Sequence, residues 1–269
     1  MGTGAAEGIP GTFCSCRLCM EAKKSGGRNI RTRSQTLIDN KILIDFPPDT
    51  YAHYLTYKFD LPSIRHLLVT HSHMDHFYPA EFELRHEGFI NPPIECLHIY
   101  GNGTVEKAFF SKLKELKQGG EHFCFHRMVP FVAVDLEDYQ IIPLTAKHDP
   151  AEECLIYIVK HRGRALLYAN DTGFFPGASF EYVRSAKICF DLVSLDCTMG
   201  QFSEGTNHMG LPDNIELRRK LFALGAVSEK TVFMLNHFSH NGGWNYTELC
   251  SEAGKQNFMV SYDGMELSI

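Results

Sequence analysis

What this sequence lacks narrows it first. No apolar run approaches the ~20 residues that a membrane-spanning helix requires. No charged start followed by an apolar block opens the chain, as a secretory leader would. Ala6 stands where a myristoylation signal beginning Met1-Gly2 places Ser or Thr. The expectation is a cytoplasmic protein that does not engage membranes. Positive charge is also short: 26 Lys and Arg face 32 Asp and Glu, a net charge of −6. That balance argues against a broad basic face gripping long nucleic acid. A small anionic substrate held by metals and a few local cations stays open. No repeat, low-complexity tract or long linker divides the chain, so 1–269 is expected to fold as one domain.

What is present is ordinary in bulk. Hydrophobic residues make up 44% of the chain, enough for a sizeable core. Nine cysteines without an export signal point to reduced thiols and metal binding. Three of them crowd together at Cys14, Cys16 and Cys19. The other six (Cys96, Cys124, Cys154, Cys189, Cys197, Cys250) sit in mostly apolar surroundings and read as small buried hydrophobes.

Short apolar runs alternate with helical patterns, which predicts a layered α/β protein. Thr36–Asp45 reads as a hairpin turning near Asn40-Lys41, and Ile64–Thr70 as a buried strand. Further strands are expected at Gln140–Leu144, Cys154–Lys160, Ala165–Ala169, Leu192–Asp196 and Thr231–Leu235. Phe258–Ile269 reads as a closing strand interrupted at Asp263-Gly264. Helices are expected at Val105–Lys117, Asp213–Ala223 and Tyr246–Lys255. The Gly-rich basic stretch Lys23–Arg33 reads as a surface loop, with a substrate-phosphate contact from Arg31 or Arg33 as the minority reading.

The strand Ile64–Thr70 runs straight into His71-Ser72-His73-Met74-Asp75-His76. In an extended segment His71 and His73 leave the same face, and Asp75 and His76 follow where a turn into a helix is expected. Imidazole and carboxylate are ligands for Zn²⁺, Mn²⁺ or Fe²⁺. Four such groups in six residues past a buried strand make no sense as core, because desolvated polar groups there are costly unless something binds them.

The run T-H-S-H-M-D-H resembles the signature of metallo-β-lactamase-fold hydrolases, which implies an αββα sandwich with a binuclear metal site between two sheets. The family's later ligand positions have matches at His148, Asp171 and His237, each after a strand-like run. The resemblance implies that His71, His73 and His148 hold one metal, that Asp75, His76 and His237 hold the other, and that Asp171 bridges them. It implies two divalent catalytic ions, Mn or Zn with Fe as a further option, and gives Asp45 the task of supporting the first histidines from behind.

Cys14-x-Cys16-x-x-Cys19 offers three thiolates in one tight turn, and a closed zinc site needs a fourth ligand. Together with Gly2-Thr3-Gly4 and Gly8-Ile9-Pro10, it is similar to the branch containing the phosphoribosyl cyclic phosphate phosphodiesterase of bacterial phosphonate breakdown. That resemblance implies a structural zinc on a loop at about 11–20, with His240 as the fourth ligand. Family members usually carry a short strand before G-T-G, where this sequence has only Met1. The stretch Glu81–Pro130 matches loosely and is read as shaping the pocket.

The function implied is hydrolysis of a small or cyclic phosphodiester by a hydroxide held between two metals, with Asp171 and Asp75 in the catalytic centre. His208, in Thr206-Asn207-His208-Met209, matches a branch histidine and is assigned to phosphate contact or leaving-group protonation. Asp196, at a strand end, is read as orienting a ligand. The alternatives are a lactone, thioester or lactam hydrolase, a tRNA 3′-end endonuclease, and a carrier resembling the branch's cofactor-biosynthesis member. A homodimer stays open.

Overall fold

The computed structural model describes residues 1–86, 88–92, 94–116 and 121–269. The first sheet holds β1 (Thr36–Ile38), β2 (Ile42–Ile44), β3 (His66–Leu68), β4 (Leu97–Gly101) and β5 (Phe123–Arg127), side by side in chain order. β1 and β2 form the expected hairpin, with Asp39 and Asn40 at positive φ in its turn; the remaining pairs are parallel.

The second sheet holds β6 (Val134–Leu136), β7 (Tyr139–Thr145), β8 (Leu155–His161), β9 (Arg164–Ala169), β10 (Leu192–Asp196), β11 (Val232–Asn236) and β12 (Met259–Val260). β6 to β9 run as an antiparallel meander, and β9 to β12 are parallel. The helices are α1 (Arg17–Ser25), α2 (Thr50–Tyr57), α3 (Gly103–Glu115), α4 (Gly177–Ala186), α5 (Leu211–Ala223) and α6 (Tyr246–Gly254).

Strand alternation sends successive side chains into different layers. Ile42, Ile44 and Leu68 meet Ile141, Tyr157, Val159 and Tyr168 between the sheets. Leu43, Leu67 and Ile99 face the other way, onto Val105, Phe109 and Leu113 of α3. Leu144, Ile158, Leu167 and Leu195 pack under α4, α5 and α6 through Val183, Leu217, Leu221 and Leu249. These three apolar layers make the α/β sandwich expected, helices outside and two sheets within.

Several boundaries differ from expectation. α5 starts two residues earlier, because Asp213 closes its first turn by accepting from the Gly210 N–H. α3 begins earlier than expected, since Asn102 caps it through the Thr104 and Val105 N–H groups; Lys117 lies outside the described residues. The closing strand is only Met259–Val260, because past it Gly264 turns back to donate to the Met1 carbonyl. After His71 the chain makes a tight turn in place of a helix, with the His76 and Phe77 N–H groups both donating to the His73 carbonyl.

Lys23–Arg33 is not a surface loop throughout. Its first residues belong to α1, and Arg31 is 4% exposed, its guanidinium 3.9 Å over Phe238 and donating to Thr3 Oγ1 and the Ser261 carbonyl. Arg33 pairs with Asp49. Both cations are thus engaged by groups of the protein itself. Of the six scattered cysteines, Cys154 and Cys197 are buried as expected, Cys250 is half-buried and Cys189 is exposed. Cys96 and Cys124 are joined as a disulfide between neighbouring strands. The described part of Glu81–Pro130 builds β4, α3 and β5, a sheet edge and its outer helix.

Candidate metal centre

The crevice opens where the parallel strands end, which is where α/β sheets place their ligands. Asp45 follows β2, His71 to His76 follow β3, His148 follows β7, Asp171 follows β9, Asp196 ends β10 and His237 follows β11. Asp45 (φ 65°), Asp171 (φ 52°) and His237 (φ 58°) adopt the left-handed region, at a cost of ~1–3 kcal/mol each for residues other than glycine. That reversal at the strand end turns each side chain into the crevice.

Two groups of donor atoms form there, each within 4.8 Å, His71, His73 and His148, then Asp75, His76, Asp171 and His237; Asp171 and His237 also lie within 4.8 Å of Asp196 and His208, in an overlapping group. Asp171 Oδ2 lies 2.6 Å from His76 Nε2, 3.4 Å from His237 Nε2 and 3.4 Å from His71 Nε2, between the two groups.

The outer nitrogens are already in use. His76 Nδ1 donates to Asp45 Oδ2 at 2.7 Å, and His237 Nδ1 lies 2.8 Å from Thr198 Oγ1. His148 Nδ1 donates to the Asn207 carbonyl, and His73 Nε2 to Asp149 Oδ2. These partners assign the tautomers and leave a lone pair on each inward nitrogen. His73 Nδ1 and His148 Nε2 then face each other at 3.2 Å, and His76 Nε2 and His237 Nε2 at 3.3 Å. Acceptors converging this closely require protons or cations between them.

Two buried atoms make the same demand, for His71 Nε2 and Asp171 Oδ1 have no hydrogen-bond partner. His208 Nδ1 does lie 3.2 Å from Asp171 Oδ1, but the angles make this an electrostatic contact only. The donor set therefore fits a pair of divalent cations.

The electrostatics agree. Burial, then the charge of His76, pushes His71 well below the ordinary imidazole range. Burial also lowers His148. Burial alone would lower His76 too, but Asp75, Asp45 and Asp171 overcome it and hold a proton there. Burial opposes ionisation of Asp171, yet the His237 and His76 charges keep it well below the carboxylate range. The centre is built to hold positive charge.

Asp196 accepts from the Thr198 and Met209 N–H groups and lies 3.1 Å from His208 Nδ1. Burial would lower His208, but the Asp196 hydrogen bond raises it to about 9. Its ring stands 4.9 Å from His148 and 5.9 Å from His237. The loop carrying it rests on Gly173, where a Cβ would come within 2.2 Å of the Thr206 carbonyl.

A third group brings Cys14, Cys16, Cys19 and His240 within 4.8 Å. His240 Nδ1 lies 3.7 Å from Cys14 Sγ and 3.5 Å from Cys16 Sγ, and Gly11 N–H donates to Cys19 Sγ. Burial raises the Cys16 thiol, but donors from Cys19, Cys14 and His240 bring it down to about 7; burial pushes Cys19 up to about 11. Cys16 also caps α1, whose N-terminal dipole favours a thiolate. The described geometry suits a separate structural metal.

Residues beyond those anticipated complete the centre. Glu152 accepts from both the N–H and the hydroxyl of Ser72 and from Asn102 Nδ2, which ties the histidine turn to the cap of α3. Thr70 donates to Asp45 and lies 3.1 Å from His71 Nδ1, so Asp45 reaches His71 only through Thr70 while touching His76 directly. Glu7 faces His240 Nε2 at 3.6 Å. Apart from Ser72 and Thr70, whose places inside the T-H-S-H-M-D-H run are a signal, none stands near its partner in the sequence.

The fold and its clustered histidines and carboxylates define a metal-dependent hydrolase of metallo-β-lactamase architecture with a binuclear centre. The chain belongs to the β-lactamase superfamily domain family, whose model matches residues 40–237. No curated protein matches it. Among solved structures it is similar to a diphosphatase of the PhnP family, at 23% identity and a TM-score of 0.73, over 100% of this chain and 95% of that one. It is also similar to zinc-bound PqqB from Methylobacterium extorquens (14%, TM-score 0.78, 100% and 98% covered) and to the short form of human tRNase Z (16%, TM-score 0.63, 100% and 97%). At these identities the likeness establishes the fold alone. Among the described residues, no helix is long and apolar enough to cross a membrane.

Proposed function

We propose that this chain is a phosphodiesterase acting on a small or cyclic phosphodiester. His71, His73 and His148 would hold one divalent ion, Asp75, His76 and His237 the second, and Asp171 both. Cys14, Cys16, Cys19 and His240 would hold a structural zinc, and 1–269 would work as one domain. Two divalent ions supply an activated water at neutral pH and neutralise a phosphate's charge.

The observation that carries the reading is His208. Its Nδ1 is anchored on Asp196 while the ring stands against His148 and His237, at the edge of the centre. Imidazole fixed there can contact a phosphate oxygen and deliver a proton to a leaving alkoxide. Asp75 and Asp171 hold the centre's geometry, and Asp196 sets the His208 ring. The likeness to a PhnP-family diphosphatase over the whole chain supports phosphate chemistry. The net charge of −6 suits a small substrate better than a long nucleic acid.

The test is a panel assay of metal-loaded protein. The substrates are bis-p-nitrophenyl phosphate, 2′,3′- and 3′,5′-cyclic nucleotides, ribose 1,2-cyclic phosphate, a dinucleoside diphosphate and a lactone. Turnover of a phosphodiester is expected, and His71→Ala should abolish it. Turnover of the lactone with none of any phosphodiester overturns the reading.

A further inference from the structure

At the end of the first sheet away from the crevice, a second set of soft ligands comes together. β4 and β5 run parallel with His98 opposite Cys124 and Tyr100 opposite His126. Leu97, Ile99 and Phe123 point into the layer under α3. Alternation therefore puts His98, Cys124 and His126 on the other face. Cys96, one residue before β4, brings its Cα within 6.3 Å of that of Cys124. The two sulfurs and a ring nitrogen of His98 all lie within 4.8 Å of one another, and all three residues are half-buried and reachable from solvent.

We propose that Cys96, His98 and Cys124 form a further metal site, which takes Zn²⁺ when the two cysteines are reduced and is closed by their disulfide. Thiolate and imidazole are zinc's preferred ligands, and bonds of about 2.3 Å to sulfur and about 2.0 Å to nitrogen need the donor atoms roughly 3.5–4 Å apart. Three protein ligands leave the fourth position to water.

His126 supplies the support that a metal-binding histidine uses. Its Nε2 lies 2.9 Å from His98 Nδ1, and its own ring is stacked on Tyr100 at 4.6 Å.

The two states exclude each other because they use the same sulfur electron pairs. Binding converts two thiols and Zn²⁺ into a zinc dithiolate with loss of two protons. Closure by hydrogen peroxide takes two electrons from the sulfurs. One S–S bond forms, the O–O bond breaks, two protons are consumed, and Zn²⁺ and two waters are released.

The test uses the full chain reduced with a water-soluble phosphine, which takes up the oxygen of water as each disulfide yields two thiols. After loading with Zn²⁺ alone and gel filtration, wild type should hold one zinc per chain more than Cys124→Ser and one more than His98→Ala. Equal zinc in all three overturns the proposal, and so does retention of the extra zinc in His98→Ala. A second measurement depends on no variant. In reduced wild type, Zn²⁺ should protect the peptides containing Cys96 and Cys124 from alkylation, read by mass spectrometry. Labelling that is equal with and without zinc overturns the site.

Discussion

At the scale of single residues, the centre is a problem of lone pairs. Asp45, Thr198, Asn207 and Asp149 each occupy the outward nitrogen of a histidine, so the inward nitrogens are left as acceptors. The same partners fix ring orientation, which a metal site needs as much as ligand identity. His208 differs because its anchored nitrogen is the one near Asp171 and Asp196, leaving its other nitrogen for a substrate. His208→Gln is therefore expected to keep the metal content of wild type while lowering kcat roughly 10²–10⁴-fold, the usual contribution of a positioned acid. Steady-state kinetics beside metal analysis checks this. A loss of both bound metals in His208→Gln would instead make the residue a ligand.

At the scale of elements, strong periodic runs were legible and tertiary punctuation was not. The continuous apolar strands β7 to β11 stand close to where their sequences place them, because strands buried on both faces need unbroken apolar runs. β4, β5 and β6, and α1, α2 and α4, escaped notice. α1 is nine residues long and offers only Leu18, Cys19 and Ala22 to the core, too little to mark a helix whose stability comes from packing. That helix nonetheless starts at the cysteine loop, so the loop and α1 are expected to fail together. Cys16→Ser should lose one zinc and lower Tm by on the order of 5–10 °C, while the folded fraction keeps its kcat. Calorimetry with an activity assay below the transition checks this, and a well-folded, inactive Cys16→Ser would contradict a purely structural role.

At the scale of the whole molecule, residues far apart in the chain meet in buried polar junctions. His53 is 1% exposed and lies between Gln35 Oε1 and Thr32 Oγ1, each at 2.7 Å, while Thr32 also donates to Asp263. Burial pushes this imidazole down to about 4. The unfolded chain, titrating near 6.5, therefore binds the proton first as pH falls. The stability linked to His53 is complete above pH ~6.5 and is lost progressively down to about 4, on the order of 3 kcal/mol in all. His53→Gln should flatten that part of the pH dependence, read as the difference between variant and wild type in denaturant unfolding. A variant whose curve runs parallel to wild type would exclude the linkage. By itself the sequence determined the layered α/β class, the four metal-binding candidates His71, His73, Asp75 and His76 and the cysteine loop, because strand periodicity and dense local ligand spacing are properties of neighbouring residues; His148, Asp171 and His237 were reached only through the family resemblance. Only the tertiary structure decided that Arg31 is buried on Phe238, that Glu152 holds the histidine turn, and that Cys96 and Cys124 stand together. Those pairings join residues dozens to hundreds of positions apart, and only strand pairing and the packing of the elements around the sheets bring them within bonding distance.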